Sequence, residues 1–506
     1  MNILPLIGSG LDAIIGVFLP NAQLRRMCDR QMIQRQSQRY AAAQGDHGAW
    51  RAMDQNINDQ ILAHQPRIAA KVRQLCQDFP LFDRALRVRV QLTCGDGIRL
   101  QSRPIIYQDR KALKAITDKI EDAWLRWMDH ADASGRLHFF ELTALAERTR
   151  IETGNALAIK IQDTSGPAPV RLLMIDAARL TDQGKPIGKN LMRGGVEIHP
   201  VTGAVEAYHF SDEGYGSPRR MLASQVLHLF HQQYPGQVLG VSDFTSAVNL
   251  ADDVQDLMTS TLDRERMGSK YLGAIKTERP HVHQTANVNH DPARKGVENL
   301  GDGTAVIKYL GYGEDISWAQ PAGTGASFDP FMQFLLRTIA ISTDTSVEML
   351  TGNYSGLSFS NYRGVRTDLA RMITPHQTRL IRHWCQPVYA DFLTLSVYRG
   401  ALEIPQYTRD ERAWQQAVWL PPVMPPADPL REYRAQRDDI AALLKSPQEA
   451  CLSRGRDVEE VLEDIGNFAD MAQQYLGIDR DAALAIITGG KRQTEKTNPA
   501  ALGAAG

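Results

Sequence analysis

His281 and His283 flank Val282, would share one face of an extended segment, and have His290 close behind, a spacing that could hold a metal ion. No cysteine or carboxylate cluster stands where it would complete a shell, so these read as exposed loop histidines. Gly489-Gly490-Lys491 lies in a small-residue tail with no strand before it, and no Gly-x-x-x-x-Gly-Lys-Ser/Thr loop occurs to cradle a nucleotide phosphate. The pair Gly95-x-Gly97 reads as a turn rather than a dinucleotide site. Neither a Gly-x-Ser-x-Gly elbow nor a His-Glu-x-x-His helix is present. The acidic pairs Asp252-Asp253 and Glu459-Glu460 are adjacent in sequence, so on a helix they point to different faces and form no catalytic pair. Cys28, Cys76, Cys94, Cys385 and Cys451 are odd in number and contain no Cys-x-x-Cys, which fits free thiols rather than a zinc knuckle or disulfide frame. The expectation is a protein without catalytic site, metal or cofactor, and with no small-molecule substrate.

Something other than chemistry must then explain 506 residues, a length that points to several domains. With 43% hydrophobic and 23% charged residues the composition is that of an ordinary soluble protein. The 57 basic and 58 acidic residues nearly cancel, which disfavours tight phosphate binding over a large surface and leaves weak local contact with nucleic acid open. Leu4 to Pro20 is apolar, but Gly8, Gly10 and Asp12 interrupt it and no basic region precedes it, so a peripheral or interfacial segment is expected rather than a signal or membrane span.

The elements follow from periodicity. Residues 21–78 are Arg- and Gln-rich and helical in pattern. Arg87–Leu92 alternates in the strand period before the turn Cys94-Gly-Asp-Gly97, which predicts a β-hairpin with Ile98 and Leu100. Residues 110–152 predict helices carrying Trp124 and Trp127. Short strands are expected at Ala156–Ile161, Val170–Ile175, Val196–His199, Ala204–His209 and Val226–Phe230. This half is a mixed α+β body. After Gly240, Ser242 or Asp243 can cap a helix whose narrow apolar stripe is Ala247, Leu250/Ala251, Val254, Leu257/Met258 and Leu262, with Asp252, Asp256 and Asp263 on the other side. A loop-rich insertion follows, with a strand at Ala305–Leu310. Asp329-Pro330 opens a second helix through Phe331, Phe334/Leu335, Ile339 and Ile341. A long helix over 361–400 should kink or break at Pro375 and Pro387. A proline-rich linker at Leu420–Pro429 leads to short charged helices over 430–480, interrupted at Gly455, and to a tail over 489–506 that reads as disordered.

Between the second helix and the long one lies Leu350-Thr-Gly-Asn-Tyr-Ser-Gly-Leu-Ser-Phe-Ser-Asn-Tyr-Arg-Gly-Val-Arg366. Gly352, Asn353, Ser355 and Gly356 oppose helix, because glycine leaves the backbone free and Asn and Ser side chains compete for its hydrogen bonds. Tyr354, Leu357, Phe359 and Tyr362 are interleaved with them. A loop that carries aromatic side chains is docking into something or lining a site.

This order of elements resembles the portal proteins of tailed bacteriophages, in particular the lambda-type portal family. The wording that carries the resemblance includes Phe18-Leu-Pro-Asn21, Cys94-Gly-Asp-Gly-Ile-Arg-Leu-Gln-Ser102, Arg148-Thr-Arg-Ile-Glu-Thr-Gly154 and Met174-Ile-Asp-Ala-Ala-Arg-Leu180. Leu350–Arg363 is the most specific block, with Asp428-Pro-Leu-Arg-Glu432 and Gly455-Arg-Asp-Val458 beyond it. The resemblance runs from about residue 15 to 480. It implies a portal fold: a wing over 1–240, stem helices over 241–270 and 327–346, a clip over 271–326, a tunnel loop over 347–362, a kinked helix and wing return over 363–428, a crown over 429–480, and a disordered tail over 481–506.

The same resemblance implies a ring, usually of twelve subunits, at one capsid vertex, assembled in the host cytoplasm and carried in the virion. Double-stranded viral DNA would be packaged and ejected through it. Its partners would be the large terminase subunit, the major capsid or scaffold protein, and a head–tail adaptor. The DNA-facing residues would be Asn353, Tyr354, Ser355, Leu357, Phe359, Arg363 and Arg366. The channel face of the stem would carry Asp252, Asp256 and Asp263, and partner docking by the clip would fall to His281, His283 and Lys295. A conduit must touch DNA without gripping it, and near-neutral net charge with an acidic stem face suits that need. Two alternatives stand for Tyr354, Leu357 and Phe359, a channel constriction or packing against neighbouring subunits. Arg363 and Arg366 could reach DNA or pair across subunits. The competing class is a head–tail adaptor or structural capsid component without DNA contact, but adaptors are typically much shorter. A nuclease would need a carboxylate–metal site that these residues do not assemble.

Overall fold

The computed structural model describes residues 56–488, apart from 107–109, 163–167, 212–217, 276–296, 300–305, 310–327, 426 and 457. The chain divides into two compact units, Met1–Asn56 and Ile57–Gly506, and every helix and strand named here belongs to the second. The expectations for Leu4–Pro20, the helical pattern before residue 56, Cys28 and the tail 489–506 lie outside the described residues.

Helices α1 (Ile57–Asp78) and α2 (Pro80–Cys94) come first, then β1 (Arg99–Ser102), α3 (Arg110–Met128) and α4 (Phe139–Thr153). The hairpin expected at 87–100 does not form, because Arg87–Leu92 is the last part of α2. Val88 and Val90 mimic strand alternation, yet the buried set Phe82, Ala85, Leu86, Arg89 and Thr93 recurs at helical spacing. Strand β1 instead pairs, antiparallel, with residues 417–420 far along the chain.

Strands β2 (Asn155–Gln162) and β3 (Val170–Ile175) follow, then β4 (Leu191–Arg193), β5 (Val196–Ile198), β6 (Val205–Phe210), β7 (Arg219–Leu222) and β8 (Val226–Phe230). They form an antiparallel sheet β3-β2-β8 and an antiparallel meander β4-β5-β6-β7. Gly154, at φ +88, joins α4 to β2 where the backbone of Gly240 and Val241 passes so close that a Cβ would stand 2.5 Å from it. Only glycine meets both demands.

Helix α5 (Val248–Lys270) leads to β9 (Tyr271–Ile275), β10 (Val297–Asn299) and β11 (Val306–Tyr309), a small sheet in which β11 pairs parallel to β9 and antiparallel to β10. The strand expected at 305–310 is therefore present, with two partners in a region read as loops. Helices α6 (Phe328–Ser342), α7 (Val347–Thr351) and α8 (Phe359–Leu380) follow. Pro375 lies inside α8 without ending it. A wide π turn over Ile381–Cys385 then joins α8 directly to α9 (Gln386–Tyr398), with Pro387 in the first turn of α9. The expected break is thus a widened turn, which relieves the clash between a proline ring and the carbonyl four residues earlier.

The last described elements are α10 (Glu411–Trp414), β12 (Ala417–Leu420), α11 (Pro429–Ala441), α12 (Pro447–Leu452), α13 (Val458–Leu476) and α14 (Arg480–Thr488). Residues 480–488 are helical, which corrects a tail beginning at 481. The small residues Ala469, Ala472 and Ala483 let α13 and α14 pack closely.

Two of the cores fix the helices around the insertion and the loop. The first is aromatic: Trp124 stacks on Trp127 at 4.6 Å, and Phe139, Tyr389 and Phe392 meet Trp124 edge-on, binding α3 and α4 to α9. The second gathers Phe82 and Leu86 of α2, Ile151 of α4, Phe244 to Val254 around the start of α5, Leu335 and Ile339 of α6, and Leu350 of α7. The helices that bracket the insertion are thereby rooted in the body. No described helix is long and apolar enough to cross a membrane.

Candidate functional site

The aromatic loop is shorter than its sequence implies. Val347–Thr351 forms α7 and Phe359 already begins α8, so the irregular part is Gly352–Ser358. The ends are capped by side chains. Ser346 Oγ accepts from Met349 N, and Ser358 Oγ accepts from Asn361 N at 3.2 Å, a contact worth about 1 kcal/mol. Gly352 takes φ +71 to terminate α7. Inside the loop, Asn353 Oδ1 accepts from Ser355 N at 3.0 Å, and Asn353 N donates to Thr351 Oγ1. These local bonds hold the turn without help from the body.

Tyr354 and Phe359 are about half exposed, Asn353 and Ser355 are exposed, and Leu357 is half-buried. Tyr354 packs edge-on against Tyr362 at 6.1 Å. The two arginines differ. Arg363 is exposed, and its guanidinium has no partner among the described residues. Arg366 lies over the Tyr362 ring at 5.5 Å, donates to Tyr362 Oη at 2.9 Å, and donates to the carbonyl of Pro425. Its charge is therefore already engaged within the subunit. Helix α8 buries only Leu369, Ile373, Gln377 and Leu380, so its first turns project from the body with the loop.

The base of the loop is held rigidly. Arg84 Nε of α2 donates to Met349 O at 3.1 Å, and Leu350 is buried in the second core. One turn further along α2, the wholly buried Arg89 donates through Nη1 to Thr343 O and Asp344 Oδ2, each at 3.0 Å, and through Nη2 to Asp243 Oδ2 at 3.1 Å. Arg150 of α4 grips the same Asp243 with two bonds of 3.0 Å while binding Glu147 with two of 2.8 Å. His376 of α8 lies 3.2 Å from Arg89 Nη2.

These charges set one another's ionisation. Burial alone would push the Asp243 carboxyl upward, but Arg150 and Arg89 outweigh it and hold it well below the usual carboxylate range. Burial first, and then Arg89 and Arg150, push His376 down to about 3, so it is neutral. The buried cations Arg89 and Arg150 thus face the carboxylates of Glu147, Asp243 and Asp344. Sequence reading placed Asp243 only as a possible helix cap. Ser242 fills that local role, its Oγ accepting from Phe244 N. The Glu147–Arg150 spacing was legible as a helical ion pair, but nothing local marks Arg89 as buried.

Asp252, Asp256 and Asp263 are all exposed and, at spacings of four and seven, share one face of α5. Ala251 and Val254 on the opposite face, with Ala247 just before the helix, are buried in the second core. Lys71 approaches Asp252 only to 3.9 Å, and Arg266 approaches Asp263 to 3.5 Å. Further out the apolar stripe becomes exposed at Met258 and Leu262, as do Phe331 and Phe334 on α6. The expected clip residues His281, His283 and Lys295 lie outside the described residues. No cluster able to hold a metal ion occurs among the described residues.

These features, two helices rooted in an α+β body, an insertion between them and an exposed aromatic loop after the second, define a particular kind of protein. The chain matches the family described as "Phage portal protein, lambda family" over residues 44–377, well over half its length, and belongs to that family. It is thus a portal protein of phage-like particles, a structural component with a general role in DNA packaging. It is 20% identical to portal protein B of Escherichia phage lambda over 494 residues, covering 89% of this chain and 92% of the relative. It is 22% identical to the portal protein of Escherichia phage N15 over 498 residues, covering 89% and 93%. Among solved structures it is similar to a chain in the neck of a native gene transfer agent particle computed with C12 symmetry, with TM-score 0.42, 15% identity and coverage of 77% of this chain and 94% of the other.

Proposed function

We propose that copies of this chain close into a ring, of about twelve subunits as the family resemblance implies, around a channel that passes double-stranded DNA during packaging and ejection. Asn353, Tyr354, Ser355, Leu357 and Phe359 meet the DNA, with Arg363 close by. The observation that carries this reading is the loop itself: an exposed, internally bonded turn with aromatic side chains, set on a base anchored through Arg84, Arg89 and Leu350. Rings and apolar side chains press on a duplex without forming ion pairs to its phosphates, so a moving strand is not arrested. The acidic face of α5 works in the same direction. Arg366, engaged by Tyr362 and Pro425, braces the start of α8 instead of binding DNA.

Met258, Leu262, Phe331 and Phe334 supply apolar area on the stem for neighbouring copies to cover. The insertion between α5 and α6, with His281, His283 and Lys295, docks the large terminase subunit during filling and a head–tail adaptor afterwards. The wing meets the capsid or scaffold at the vertex of the virion, after assembly in the host cytoplasm. The protein is a passive conduit, and a separate ATPase supplies the work.

Deleting residues 353–359 tests the assignment. Ring assembly should be unaffected, because residues 353–359 belong to neither large core, while DNA packaging or retention should be impaired. Normal packaging and retention by the deletion variant would sink it.

A further inference from the structure

We propose that Arg89 is the positioning residue of the DNA loop: held on one side by Asp243 at the root of the first stem helix, it fixes on the other side where the second stem helix ends and the loop's base begins. The proposal rests on the reading of residues 352–358 as the loop that meets DNA.

Arg89 uses the whole front of its guanidinium fork. Nη2 reaches Asp243 and His376, Nη1 reaches Thr343 O and Asp344, and only Nε lacks a partner among the described residues. One planar group therefore ties together the approach to α5, the end of α6 and the flank of α8. A lysine could not do this, since an ammonium offers no rigid fork spanning opposite partners.

The two acidic partners are not equivalent. Asp243 is 7% exposed and is gripped a second time by Arg150, whereas Asp344 is 45% exposed and is held by Arg89 alone among the described ion pairs. Asp344 also stands at φ +50, a left-handed conformation that L side chains other than Asn and Asp rarely adopt. Glycine would suit that backbone still better, so what the aspartate adds over glycine is its carboxylate, which is met by a contact distant in sequence. Asp243 is the fixed anchor, and Asp344 is the latch that registers residues 343–351 on α2. From Asp344 the chain turns into α7, whose Met349 carbonyl meets Arg84, and then enters the loop.

Asp344→Gly removes the latch while easing the backbone, which separates positioning from stability. Hydrogen–deuterium exchange on the purified full chain should show amides of 343–358 exchanging about tenfold faster, while α2 and α4 are unchanged and the melting midpoint is not lowered. Asp344→Asn, which still accepts from Arg89 and tolerates a left-handed backbone, should restore part of the protection. Unchanged exchange at 343–358, or a rise spread evenly over the body with a lower midpoint, would overturn the proposal. Packaging by particles carrying Asp344→Gly distinguishes the two readings. A loosened 343–358 with impaired DNA retention supports both. A loosened 343–358 with normal retention leaves Arg89 as the positioning residue and removes the DNA role of the loop.

Discussion

Asp243 and Asp256 lie on one run of chain, at the root and along the shaft of helix α5, and their surroundings are opposite. Asp243 is buried between Arg89 and Arg150 and accepts three hydrogen bonds from them. Asp256, with Asp252 and Asp263, faces water on the side of α5 away from the core. Burial decides what each carboxylate does. At the root, low dielectric makes the pairing strong and its loss costly, so the charge becomes a structural joint. On the shaft, water and salt screen the charge, so it adds little to the fold.

The contrast is tested hardest at the root. Asp243→Asn leaves two buried guanidinium groups short of a counter-charge and should cost about 3–5 kcal/mol, read as a lower denaturant midpoint. A cost under about 1 kcal/mol would mean that the root charges are solvated. Because the folded-state value of Asp243 is depressed, its contribution is complete above the ordinary carboxylate range and is lost as the pH falls below it.

A smaller effect is expected at milder acidity. Burial pushes His228 and His376 each down to about 3 from an ordinary value of 6.5, with Arg89 and Arg150 adding to the shift at His376. Between those values the unfolded chain binds protons that the folded chain refuses, so stability should fall as the pH drops from about 6.5 toward 3. At about pH 5 the loss is at most about 2 kcal/mol for each histidine. His376→Gln should make that decline shallower, and an unaltered pH profile would show that His376 is charged in the folded protein.

The smallest effect on stability belongs to the shaft. Replacing Asp252, Asp256 and Asp263 together with Asn should leave stability within about 0.5 kcal/mol of the parent, while slowing DNA release from particles at low salt and much less at high salt. Salt-independent slowing would point to a change in shape rather than charge.

What the sequence showed and what it hid divide along the same line. Strands β2, β3 and β8 were legible within a residue or two, because each is a short apolar run separated from the next by Gly, Pro and Asp, a local signal. The apolar stripe and the acidic face of α5 were legible for the same reason. Arg87–Leu92 misled because its short window alternates, and the helical period emerges only when Phe82 and Leu86 are included with Arg89. Strand β12 was hidden because its partner β1 lies far away in the sequence, Arg99 pairing with Leu420. The charge joint was hidden for a related reason. Arg89 meets Asp243, Asp344 and His376, residues brought to it only by the completed fold. The loop was found from its composition, but its true extent, Gly352–Ser358, depends on caps at Ser346 and Ser358 that the aromatic spacing masked.

The ring, and the place of the loop within it, can be imaged by electron microscopy of the purified full chain. The expected particle is a closed ring whose central channel admits duplex DNA, with residues 352–358 of every subunit at its narrowest point and the Asp256 face lining the passage. A ring with those residues on its outer rim, or particles without a channel, would contradict a DNA conduit built on this loop.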